Sequence, residues 1–100
     1  MAKTKIKPFD PAKYLKDKNA QAAYLNEALE SKDPAEINRA LGTIARVRGI
    51  TSIAGETGLT RQGLYQSFSE TGNPEFSTVM KVLDSIGLEL SVQPKDAHAA

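Results

Sequence analysis

The sequence predicts an all-α domain: five helices followed by one short C-terminal β-strand. Three features carry that expectation. Apolar residues recur three and four apart along several stretches, the period of a helix with one buried face. Asp33-Pro-Ala-Glu36 sets a capping side chain, a Pro and a reciprocal Glu in the order that opens a helix. Leu88-Glu-Leu-Ser-Val92 alternates apolar and polar, the period of a half-buried strand.

The chain has 100 residues, room for one domain with a modest core. Residues 1–18 carry six Lys against two Asp and show little periodicity. They are expected to form a flexible basic arm, with a short helical turn through Tyr14 and Leu15 after Asp10-Pro11. The folded domain is expected over residues 19–94. Its first helix runs from Ala20 to Glu30, with Ala23, Tyr24, Ala28 and Leu29 as the apolar stripe and Leu25 beside it. The second starts at the Asp33 cap, carries Ile37, Ala40, Leu41, Ile44 and Val47 inward, and stops near Gly49.

Two short helices follow within residues 51–69, joined by a tight turn at Gly58. The first carries Ile53 and Ala54 inward. The second opens on Thr60, a good N-cap, and buries Leu64 and Phe68, four apart. Glu70-Thr-Gly-Asn-Pro74 is rich in turn formers. Phe76, Val79, Met80, Leu83 and Ile86 then define the fifth helix, ended by Gly87. Pro94 ends the strand, and residues 95–100 are expected to be a disordered tail. A lone strand needs partners for its N–H and C=O groups. Pairing with the same segment of a second copy is favoured over pairing with the arm, so a homodimer joined through residues 88–92 is expected.

Composition narrows the function. There is no Cys, so disulfides and thiolate metal sites are excluded. The one His, His98, sits in the Ala-rich tail and is read as solvated. No metal, cofactor or catalytic residue is expected, and general acid–base chemistry has few candidates. No apolar run approaches the ~20 residues of a membrane span, and no signal-peptide pattern opens the chain. A cytoplasmic protein, neither an enzyme nor a membrane protein, is the expectation.

The paired short helices give a positive reading. Small residues where two helices meet, a Gly in the turn and exposed hydrogen-bonding side chains on the second helix are the layout of a DNA-binding helix-turn-helix. The exposed row is Arg61, Gln62, Tyr65 and Gln66. Arg suits guanine O6/N7 and Gln suits adenine N6/N7, each contact worth ~1–3 kcal/mol of discrimination. Thr51 or Ser52 opens the first helix of the pair, and with Thr60 these hydroxyls suit phosphate. Tyr65 could touch a phosphate or a thymine methyl; Asn73, and Arg46 or Arg48, could hold the DNA backbone. Residues 46–74 are mildly basic, three Arg against two Glu, in a chain of net charge +1. The expected partner is double-stranded operator DNA, read two-fold by a dimer. The plain alternative is that these side chains are solvated surface.

Residues well beyond this motif match a known family. Ala23-Tyr-Leu-Asn-Glu-Ala-Leu29, Ala40-Leu-Gly-Thr-Ile-Ala-Arg46, Glu56-Thr-Gly-Leu-Thr-Arg-Gln-Gly-Leu-Tyr65 and Gly72-Asn-Pro-Glu-Phe76 carry the likeness. The chain resembles the addiction-module antidote proteins, antitoxins of the Xre/Cro helix-turn-helix superfamily. That resemblance implies a lambda-repressor-like helix-turn-helix domain. It also implies a type II antitoxin that neutralises a RelE/ParE-like toxin and represses its own operon, usually as a dimer. A stand-alone Xre-type regulator without a toxin is the alternative. Gly55 departs from the family pattern, which usually has a long basic residue there.

Overall fold

The computed structural model describes residues 11–95. The expected arm therefore lies mostly, and the expected tail almost wholly, outside the described residues. From Pro11 onward the architecture is helical: α1 (Pro11–Tyr14), α2 (Lys18–Ser31), α3 (Pro34–Arg48), α4 (Ile50–Thr57), α5 (Arg61–Ser67) and α6 (Phe76–Ile86). The single turn of α1 is the helical turn expected at Tyr14, and the five longer segments are the five expected helices.

Local signals set most of the boundaries. Lys16-Asp-Lys-Asn19 reads as a break, yet it supplies a start: the Asp17 carboxylate accepts the Ala20 N–H at 2.8 Å, so α2 begins two residues early. The Asp33 carboxylate likewise accepts the Ala35 N–H at 3.0 Å at the head of α3. Gly49 (φ 111°) ends α3 and leads directly into α4, which Ile50 opens rather than Thr51 or Ser52. Gly58 (φ 80°) closes α4 through its N–H to the Ala54 carbonyl, as expected of the tight turn. Thr60 caps α5 by accepting the Gly63 N–H at 2.9 Å.

The core is centred on α3, which touches each of the other five helices. Leu41 and Ile44 of α3 are buried with Leu25 of α2, Ile53 of α4, Leu64 of α5, Phe68, and Val82, Leu83 and Ile86 of α6. Leu15 is fully buried too, although the sequence places it in the arm. Its carbonyl accepts an Nε2 proton of the buried Gln21 at 2.9 Å, which gives that amide a partner for its donor end.

Two helical faces are rotated from their expected orientation. On α2 the buried residues are Gln21, Leu25 and Ala28, while Ala23 is exposed. A methyl group contributes little to burial, so Ala marks a face weakly. On α6 Val82 is buried, whereas Phe76 and Met80 are largely exposed. Phe76 is the first residue of its helix, and the buried residues of α6, Val82, Leu83 and Ile86, all lie in its second half.

The expected C-terminal strand is not formed among the described residues. Leu88 is occupied otherwise. Its N–H bonds to the Leu83 carbonyl at 2.9 Å while the Gly87 N–H bonds to Asp84, the double bond that closes a helix through a left-handed Gly. Leu88 then packs on the core as the apolar member of that cap. Every other described element is a helix, so residues 89–92 have no ladder to join, and Val92 is fully exposed.

Gly55 sits mid-helix on the exposed side of α4 with nothing within 4 Å of where a Cβ would stand. Gly55→Ala is expected to raise the unfolding free energy by about 0.4–1 kcal/mol, because Ala orders into a helix at lower entropic cost. Urea titration followed by far-UV circular dichroism measures it; a loss of stability would mean that this face is covered.

Candidate nucleic-acid interface

The paired short helices present one polar face on a fixed scaffold. On α5, Leu64 and its neighbour Phe68 are each 2% exposed, and this fixes the rotation of the helix. Arg61, Gln62, Tyr65 and Gln66 are all exposed. The period of 3.6 places Gln62 and Gln66 opposite the buried pair and Tyr65 at its flank, while Arg61 is exposed at the open first turn of the helix. Ile53 on α4 is buried and Ala54 half-buried, so the inward residues of both helices are those expected.

Thr60 is exposed, and its hydroxyl oxygen is engaged in the cap of α5. A Cβ at Gly63 would meet that same oxygen at 2.9 Å, a local reason for Gly inside this short helix. Thr51 and Ser52 are exposed on the first turn of α4, without a side-chain cap at that end. Asn73 is exposed in the loop between α5 and α6.

The loop carrying Asn73 is tied to α3 just before that residue. Asn38, buried on α3, donates from Nδ2 to the Gly72 carbonyl at 2.8 Å. Arg39 reaches Glu70 at 3.0 Å and Glu36 at 3.7 Å. Both ion pairs are well exposed and add little stability. Asn38 was not singled out from the sequence. Its signal is a polar residue flanked by Ile37 and Leu41 on the buried side of an amphipathic helix, where an amide needs a partner.

The three Arg of α3 have different surroundings. Arg39 faces carboxylates. Arg48 donates to the Ile86 carbonyl at 2.6 Å, at the C-terminal end of α6 where a cation is favoured. Arg46 lies over the Tyr65 ring, 5.8 Å from its centroid. Of the residues expected to touch DNA, the structure thus brings Arg46 to Tyr65, aligns Arg61, Gln62, Tyr65 and Gln66 on one helix, and holds the Asn73 loop against the end of α5. Thr51 and Ser52 share no hydrogen bond with that row among the described residues.

The molecule so defined is a small helical protein that offers an exposed row of hydrogen-bonding side chains. Among the described residues no cluster of His, Cys, Asp and Glu could hold a metal, and no helix is long and apolar enough to cross a membrane. Residues 5–94 match the family described as "Probable addiction module antidote protein", and the chain belongs to that family. It is 44% identical over 88 residues to an uncharacterized protein of Haemophilus influenzae, covering 88% of this chain and 91% of the relative. No solved structure matches it. The likeness to addiction-module antidotes read from the sequence is therefore borne out.

Proposed function

We propose that the chain is the antitoxin of a type II toxin–antitoxin module, binding a RelE/ParE-like toxin and repressing its own operon as a dimer. In this reading α4 and α5 form a lambda-repressor-like helix-turn-helix of the Xre/Cro type, and α5 enters the major groove. Two copies would set two such helices on one face of a duplex, about 34 Å apart. The observation that carries the reading is that Arg61, Gln62, Tyr65 and Gln66 are all exposed on a helix that Leu64 and Phe68 anchor in the core. A solvated surface does not need two residues suited to guanine and adenine at the start of a helix whose rotation is fixed. Membership of the antidote family supports the toxin as the second partner.

The test uses a duplex covering the DNA upstream of the reading frame, followed by fluorescence anisotropy against an unrelated duplex of equal length. The Arg61→Ala/Gln62→Ala double variant is expected to stay folded and to lose at least about thirty-fold of its preference for the upstream duplex. That is the low end of two bidentate contacts. Equal preference in wild type and variant would sink the base-reading role of α5. Co-expression with the product of the adjacent reading frame, followed by size-exclusion chromatography with light scattering, tests the toxin arm; two separate peaks would count against it.

A further inference from the structure

Arg46 is the one Arg of α3 whose charge faces α5. Arg39 is held between Glu36 and Glu70, and Arg48 is held on the Ile86 carbonyl. Arg46 is exposed and, among the described residues, its neighbour is the face of Tyr65 rather than a carboxylate. A cation–π contact occupies none of the guanidinium's N–H groups with a hydrogen-bond acceptor, so they remain able to donate. Tyr65 is itself 43% exposed, one turn along α5 from Arg61 and Gln62. The pair therefore carries a cation from a second helix to the edge of the polar row.

We propose that Arg46 is a phosphate-contacting residue of the DNA interface and, through its contact with the ring, the positioning residue for Tyr65. The proposal rests on the reading of α5 as the DNA-reading helix. It separates Arg46 from Arg48, which composition alone leaves equivalent. Phosphate is the partner indicated, because Arg46 comes from outside the base-reading helix and presents its charge beside that helix. The ring contact also restricts where the long Arg side chain can swing, so less freedom is lost when a phosphate oxygen is bound.

The experiment measures affinity for the upstream duplex as a function of salt, in wild type, Arg46→Ala, Arg46→Lys, Tyr65→Leu and the Arg46→Ala/Tyr65→Leu double variant. One phosphate contact contributes about 0.9 to the slope of log affinity against log salt. Arg46→Ala should lose that amount, so its affinity should fall about 3.5-fold less than wild type between about 50 and 200 mM salt. Arg46→Lys should keep the slope, since the charge remains, but weaken the coupling to Tyr65. Tyr65→Leu should cost less affinity in the Arg46→Ala background than in wild type, the mark of a shared contact. Selective wild-type binding with an unchanged slope in Arg46→Ala overturns the phosphate role alone. Strictly additive effects of the two substitutions overturn the positioning role. A wild-type chain that shows no preference for the upstream duplex overturns the underlying reading, and this proposal with it.

Discussion

Ile44→Ala is expected to lower the unfolding free energy by about 2–5 kcal/mol, the range for truncating a fully buried branched side chain. Ile44 is 0% exposed on α3, the helix that touches all the others. Its side chain lies in the same cluster as Leu41, Leu64, Leu83 and Ile86. A cavity there is bordered by several helices, and each of them is held by other contacts. The site can collapse only partially, so the cost includes the void as well as the lost transfer energy. Domains of this size have about 5–15 kcal/mol in total, so the variant should be markedly less stable. Thermal unfolding followed at 222 nm should show a midpoint at least about 10 °C lower. Val92→Ala serves as the control, because Val92 is 96% exposed. A drop of less than about 4 °C for Ile44→Ala would mean that α3 is not the centre of the core.

The stripe that predicts this effect was readable because α3 is long, strongly periodic and capped by its own residues. Asp33, Pro34 and the spacing of Ala40, Leu41 and Ile44 act locally, and the tertiary structure agrees with them. The same holds for Gly58 and Thr60, whose turn and cap geometry depend on neighbours a few residues away. These elements position α5, so the exposed row could be named before its surroundings were known.

What the sequence did not show depends on distant partners. The buried face of α2 includes Gln21, which bonds to the Leu15 carbonyl and which hydrophobic periodicity reads as polar surface. Phe76 continues the apolar period of α6 yet is 69% exposed at its first position, and periodicity does not show which end of a stripe is covered. Residues 88–92 have the alternation of a strand, but alternation only permits pairing; the ladder itself needs a second strand. The Asn38 to Gly72 bond spans 34 residues, and the Arg46 contact with Tyr65 joins two helices. No local pattern encodes either one. The parts of the candidate site that lie within α5 were therefore legible, and the parts that hold α5 and its following loop in place were not.

Gly72→Ala is the sharpest test of that supporting structure. A Cβ at Gly72 would run into the carbonyl oxygens of Ser67 and Gln66, backbone atoms at the end of α5. Unlike the tip of a flexible side chain, these cannot swing aside, so the loop or the last turn of α5 must move. Gly72 is also bonded through its N–H to the Ser69 carbonyl and through its own carbonyl to Asn38. Moving the loop strains both bonds, and a lost partner leaves the buried Asn38 amide unsatisfied. The expected loss is about 1–3 kcal/mol from crowding, with about 1 kcal/mol more if the Asn38 bond breaks. The same substitution at Gly55 should act with the opposite sign, because that position has open space and this one has backbone. Asn38→Ala removes the bond without the clash and should reproduce only part of the loss. Urea unfolding of the three variants separates the terms. If Gly72→Ala matches wild type, the loop is not packed on α5 as described, and Asn73 has no fixed place beside the polar row. If it is destabilised yet binds the upstream duplex unchanged while folded, the loop supports the fold alone and Asn73 does not contact DNA.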